Sequence, residues 1–303
     1  MDTSYTFNFN QPSGLSNNSN GIGQATPGAG AGAPLAPANL HAFDRGSNDF
    51  SVNLVELVLE KTAQTSDPIG FRVDLDYGDD AEVFGAGENA PILAENVDVA
   101  GSTTNNQRLD LFDLQQAYIV YKFPLEKMAE KWKCLDGLTG NIQAGKFVTW
   151  AGAEVIESKD DWNTSRSFLF GLAIPFTHTG VRTNWNYKGW LDTGLGLNNG
   201  WDVLDDNNQA KTIESKIGVT PTDWASVTLV NIFGSETRQK SGNQRYLVDL
   251  VTVIKNPWKQ IEPLNKLTLM FNMDWAREQD VARFDEGGVS SVTNSESPLA
   301  GEA

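Results

Sequence analysis

Few side chains in this sequence are equipped for catalysis, and they are His41, His178, the single cysteine Cys134 and several groups of acidic residues. A nucleophilic reading would have His178 take a proton from Ser165 or Ser167 while an aspartate such as Asp161 orients the ring. No nucleophile-elbow motif surrounds either serine, so no residue is assigned a catalytic role. Cys134 has no second cysteine to pair with, which removes disulfides and cysteine-rich zinc sites, and it is read as structural. Calcium takes carboxylate and carbonyl oxygens on a flexible loop. The run Asp74-x-Asp76-x-Gly78-Asp79-Asp80 offers such oxygens, but it lacks an EF-hand's third ligand spacing and distal glutamate. Alternation along a strand accounts for Asp74 and Asp76 without an ion. Asp202, Asp205 and Asp206 form a weaker loop candidate; no metal and no cofactor is assigned.

A different chemistry is offered by the link at 149–179, which carries Glu154, Glu157, Asp160, Asp161 and Arg166 ahead of an apolar stretch. It is too long for a simple turn. Folded into the lumen of a barrel, such a segment would narrow it and set charges in the path of permeating solutes. The competing reading is an exposed acidic loop.

These residues need a framework, and the pattern at 181–198, VRTNWNYKGWLDTGLGLN, identifies it. Val181, Thr183, Trp185 and Tyr187 alternate with Arg182, Asn184 and Asn186, and after Lys188-Gly189 Leu191, Thr193, Leu195 and Leu197 alternate with Asp192, Gly194, Gly196 and Asn198. Period two on both sides of a tight turn predicts a β-hairpin. Similar segments recur about eleven times: 4–10, 50–61, 70–77, 114–123, 138–148, 180–188, 190–198, 211–220, 225–233, 245–255 and 266–276. Several reach the roughly ten residues that a tilted strand needs to cross a bilayer. Short and long connections alternate, the asymmetry expected of a barrel with turns on one rim and loops on the other. The piece 125–135 is expected to form a short amphipathic helix within its turn.

Tyr121, Phe123, Tyr187, Trp190, Trp224 and Trp258 sit beside the short links, where an interfacial aromatic belt would lie. Ordinary core packing explains each singly but not their shared end. Opposite parity to the apolar positions selects Arg72, Asp74, Asp76, Arg182, Asn184, Asp192, Glu214, Lys216, Asn272 and Asp274 as candidate pore lining. The Gly/Ala-rich stretch 28–34, GAGAGAP, lacks the strand-to-helix context of a phosphate loop and is read as part of a mobile loop.

Composition narrows the classes further. The longest apolar candidate, 168–176, contains Pro175 and is about half of the ~20 residues a spanning helix needs. A net charge of −16 supplies no basic stripe for nucleic acid and suits a solvated surface, divalent cations or a cation-friendly channel.

The segment 165–182, SRSFLFGLAIPFTHTGVR, together with Glu154-Val155-Ile156-Glu157, resembles a signature segment of the OmpL-like putative beta-barrel porin family of Gram-negative outer membranes. SYTFNFNQP at 4–12, Phe43-Asp44-Arg45, GFRVDLDYG at 70–78, DLQQAYIVYK at 113–122, AGKF at 144–147 and GLNNGWD at 196–202 extend the resemblance over most of the chain, in order. The resemblance implies an outer-membrane barrel that passes small hydrophilic solutes by diffusion, without catalysis or cofactor.

The expectation is therefore a single antiparallel transmembrane β-barrel over 1–303, an up-and-down meander with long loops near 11–49, 78–113 and 149–179. Its partners would be outer-membrane lipids, small hydrophilic solutes or ions and, as a further candidate, copies of itself. Neither an export signal nor a closing aromatic strand is visible, and an odd strand count departs from the usual even number, so the chain reads as a fragment. The alternative is a soluble or surface-attached β-sandwich that binds a glycan or protein through its loops.

Overall fold

The computed structural model describes residues 2–6, 43, 49–86, 112–163, 165–237, 241–258, 261–262, 264–279, 284–285 and 288–289. Period-two alternation is realised as eleven strands: β1 (Asp2–Thr6), β2 (Asp49–Lys61), β3 (Ile69–Tyr77), β4 (Phe112–Lys122), β5 (Leu138–Val148), β6 (Thr177–Tyr187), β7 (Leu191–Asn198), β8 (Thr212–Thr222), β9 (Ala225–Ser235), β10 (Gln244–Lys255) and β11 (Thr268–Glu278). Each pairs antiparallel with its sequence neighbours, giving one sheet in the order β1 to β11. A sandwich would need two packed sheets, and these eleven strands form a single meander instead. Among the described residues no ladder joins β11 to β1, so the sheet is open there.

The hairpin β6–β7 shows how sequence sets register. Lys188 (φ 51°) and Gly189 (φ 75°) both take left-handed backbone, and the N–H of Trp190 donates to the Tyr187 carbonyl. Left-handed geometry at both central positions is what a tight hairpin requires, and glycine supplies one of them without strain. The Asn186 carboxamide oxygen also accepts the Gly189 N–H at 2.9 Å. Tyr187 then pairs with Leu191 and Arg182 with Gly196, so the polar residues of both arms share one face.

Boundaries shift modestly from the sequence pattern. The first strand begins at Asp2, and the part of the expected strand at 7–10 lies outside the described residues, as does most of the expected loops at 11–49 and 78–113. A helix within the 78–113 link, α1 (Asp79–Ala86), has no counterpart in the strand pattern; Gly78, at φ 138°, turns the chain into it. The helix expected within 125–135 is α2 (Leu125–Ala129), followed by a single 3₁₀ turn. A third helix, α3 (Phe168–Leu172), is capped by Ser167, whose hydroxyl accepts the Phe170 N–H at 3.2 Å.

The sheet curls around residues 149–176. On one side the N–H groups of Gly152 and Ala153 donate to Asp249 of β10 and Asn272 of β11, at 3.0 and 3.2 Å. On the other, Glu157 meets Arg72 of β3 at 3.9 Å and Lys159 meets Glu56 of β2 at 3.7 Å. The first and last long strands therefore both touch one central segment.

The apolar core lies inside this curl. Phe84 of α1 and Ala151, Ile156, Phe170, Ile174 and Phe176 of the link pack on Val230, Ile232 and Leu247 from the inner faces of β9 and β10. The rings of Phe43, Phe84, Phe170 and Phe176 meet with centroids 5.1 to 6.3 Å apart. Away from that cluster the usual polarity is reversed: Asp74, Asp76, Glu214 and Asp249 are 0% exposed, while Ile119 is 63% and Leu195 59% exposed.

Candidate functional site

The inner face is assembled by register. Across β2 and β3, Glu56 opposes Asp76 and Glu60 opposes Arg72, which orders a strand whose own sequence alternates poorly. Arg72 and Asp74 form a close pair, with Nε 2.8 and 2.9 Å from the two carboxylate oxygens, and the Gln116 amide donates to the same carboxylate. Arg182 donates to Gln143 and to the Val148 carbonyl, both at 2.8 Å, and lies 3.9 Å above the Phe147 ring. Asn184 donates to Asn141, and Lys216 pairs with Asp192 at 2.7 Å. Asn272 donates to Asp249 at 2.6 Å, with Asp274 opposite Asp249 in the ladder. Glu214 faces His178 at 3.8 Å. All ten lining candidates are thus on the inner face, buried or half-buried, and among their charges Arg72 pairs with Asp74 and Lys216 with Asp192.

Toward the short-link end this face lines a half-open cavity of about 290 Å³. Glu60, Arg72, Lys122, Gln143, Asn184 and Asp192 are among the side chains on its walls. Charged and amide groups there can replace parts of a hydrophilic solute's hydration shell.

The five acidic and basic candidates of the link divide into two kinds. Glu154 accepts the Ser167 N–H at 3.0 and 3.1 Å and its hydroxyl too, so it braces the start of α3. Asp161 accepts the Val155 N–H at 2.9 Å and meets Arg166 Nε at 3.0 Å. Arg166 is buried, lies 5.5 Å from both the Phe43 and Phe170 rings, and reaches toward Asp80 of α1. These three hold the link's own shape. Glu157 instead faces Arg72 on the wall, and Asp160 is exposed beside Lys159 at 3.2 Å. Burial is the main influence on Asp161, pushing its carboxyl above the usual range against the Val155 N–H and the Arg166 charge.

Residues 199–211 meet the end of the link at the opposite rim, where β6 begins. Asp202 is buried and accepts the N–H groups of Phe176 and Thr177 at 2.6 and 2.9 Å. Burial pushes its carboxyl up to about 6, opposed by the Thr177 N–H, the His178 ring and the Phe176 N–H. Glu236 is raised by burial too, against the Thr212 hydroxyl and the Trp201 N–H. Asp206 pairs with Lys211 and Asp205 is exposed, so the three aspartates of the loop candidate do not converge on one point. His178 is fully buried, with Nδ1 2.9 Å from the Gly200 carbonyl and Nε2 3.3 Å from the Thr149 hydroxyl. Among the described residues neither Ser165 nor Ser167 is a hydrogen-bond partner of His178. Cys134 is exposed.

Six aromatic candidates cluster at the short-link end. Tyr121, Trp190, Trp224 and Trp258 are exposed; Phe123 is half-buried, stacked on Trp185 at 5.2 Å, and Tyr187 meets Trp190 edge-on at 6.1 Å. Sequence reading missed Glu56, Gln116, Gln143 and Asp249 on the inner face. Only Asp249 carried a signal, being the lone acid in the apolar segment YLVDLVTVI.

An antiparallel meander that is apolar outside, polar inside and crossed by an internal link defines a porin-like outer-membrane β-barrel architecture. Among the described residues no helix is long and apolar enough to cross a membrane, so any crossing falls to the strands. Residues 1–297 match the family described as Putative beta-barrel porin-2, OmpL-like, and the chain belongs to that family. Membership carries a porin role and an outer-membrane setting in general terms. No curated protein and no solved structure matches the chain.

Proposed function

We propose that this protein lets small hydrophilic solutes or ions diffuse passively across the bacterial outer membrane through a water-filled interior. The reversed polarity of the sheet carries the reading: a buried polar face such as Arg72, Asp74, Arg182 and Asn184 backs an exposed apolar face such as Ile119, Leu195, Ile217 and Phe271. Water solubility does not require the second face, whereas lipid does. Tyr121, Phe123, Tyr187, Trp190, Trp224 and Trp258 would sit at the headgroups of one leaflet. Hydrocarbon tolerates no free backbone edge, so β1 and β11 would be paired once in the bilayer.

The narrowest part of the path would be the link at 149–179, with Glu157 its main charge toward the wall. Conduction and selectivity test this directly. The full chain, reconstituted in planar lipid bilayers, should give stepwise conductance, and liposomes containing it should swell in small sugars but not in large ones. Silent bilayers together with unresponsive liposomes would end the proposal.

A further inference from the structure

Where the link meets the wall of β2 and β3, the interior holds more negative charge than its neighbours neutralise. We propose that Glu56, Asp74 and Glu157 bind one hard divalent cation, with calcium the best match and the buried Asp76 carboxylate beside them adding negative charge, and that this ion ties the link to the wall. The inference is independent of whether the interior conducts.

Carboxylate oxygens of Glu56, Asp74 and Glu157 all lie within 4.8 Å of one another. Two oxygens on opposite sides of a calcium ion, each about 2.3–2.6 Å from it, span a similar distance. Acidic clusters are common without ions, and here the pointer to a ligand is Asp76. It is 0% exposed, neither carboxylate oxygen has a hydrogen-bond partner, and it stands opposite Glu56 in the ladder, two residues along the same face from Asp74. The charges acting on it most strongly are those of Glu56, Asp113, Glu157 and Asp74, all negative. Oε1 of Glu56 is likewise buried without a partner. Burying a carboxylate with neither hydrogen bonds nor a counter-ion is costly, so this corner calls for positive charge.

The cations already present do not supply enough. Arg72 is turned to Asp74 at 2.8 Å and reaches Glu157 only at 3.9 Å, and Lys159, mostly in solvent, lies 3.7 Å from Glu56. Asp113 is matched by Lys146 at 3.4 Å. With all four carboxylates ionised, the state that bound calcium favours, Arg72 and Lys159 leave two negative charges, the charge of one divalent ion. The donor set is oxygen alone, with no imidazole or thiolate, which selects calcium or magnesium over softer metals. Carboxylates from three separate segments suit the larger, geometrically tolerant calcium shell better than the strict magnesium octahedron.

Calorimetric titration of calcium chloride into the detergent-solubilised full chain, after chelator treatment and dialysis, tests the site. One saturable calcium site is expected, with magnesium binding more weakly. Asp76→Asn and Glu157→Gln should each weaken calcium about tenfold or more, as loss of support around a metal does. Glu157 lies on the link rather than in a strand, so its variant keeps the test valid if Asp76→Asn fails to fold. A variant with Asp205→Asn and Asp206→Asn should bind as the unaltered chain does. The proposal is overturned if the unaltered chain takes up no calcium at millimolar concentration, if Glu157→Gln binds normally, or if the Asp205 and Asp206 changes abolish binding.

Discussion

Asp202 illustrates how a buried acid can serve as a structural clamp whose strength depends on pH. Its side chain accepts two N–H groups from the start of β6, while burial raises its carboxyl to about 6 from an ordinary value of 3.8. Between those values the folded chain holds the proton more tightly than the unfolded chain, so stability falls as pH rises. The contribution is fully present below about 4 and is lost as pH climbs through about 6. Asp202→Asn keeps an accepting oxygen without the charge. Its melting temperature in detergent should match the unaltered chain near pH 4 and exceed it increasingly toward pH 7, with the neighbouring His178 and Glu236 side chains present in both proteins. Parallel melting curves across that range would refute the clamp. At the link, Glu157→Gln should lower cation preference in bilayer recordings, because Glu157 faces the wall, whereas Asp161→Ala should loosen the link around Val155 by removing the acceptor of the Val155 N–H. Unchanged selectivity in Glu157→Gln would remove the link from the conduction path. The identities of such acids are legible in the sequence, but their roles are not: Asp161 and Glu157 look alike until the fold places one inside the link and the other against Arg72.

The elements themselves divide along the same line. Strands such as β3, β6, β7 and β11 are legible because a two-residue period repeats through each of them, whereas β2 alternates poorly and takes its order from β3; Lys188-Gly189 marks its own turn chemically. Docking of the link is not legible, since Gly152 and Ala153 present only backbone N–H groups to Asp249 and Asn272, about a hundred residues away in sequence. Nor does strand periodicity reveal α1, whose Phe84 matters by joining the Phe170 and Phe176 rings. Those rings anchor the link by burial. Phe176→Ala should therefore cost about 3–5 kcal/mol, the usual price of emptying a phenylalanine site in a core. The loss should appear as faster hydrogen exchange at the Gly152 and Ala153 amides while the strand amides keep their protection. Unchanged protection at those two amides would mean that the aromatic cluster does not hold the link.

At the scale of the whole molecule, the distribution of polarity is what separates a membrane wall from a water-soluble sheet. Leu195 stands near the middle of β7, between Thr183 on β6 and Ser215 on β8, and is 59% exposed on the outer face. In water an arginine at such a position would cost almost nothing, because its charge stays solvated. In a bilayer the same charge near the midplane costs about 2–4 kcal/mol, falling toward zero near the headgroups. Leu195→Arg should therefore reduce the folded, inserted fraction in liposome refolding titrations by that amount, while an arginine in place of Trp190, beside the turn at the proposed headgroup level, should cost much less of it. Asn184 lies one residue from Trp185 but on the inner face, so Asn184→Asp should leave insertion nearly unchanged and act on conductance instead. Equal insertion of Leu195→Arg and the unaltered chain would place this face in water and overturn the membrane reading from its physical basis upward.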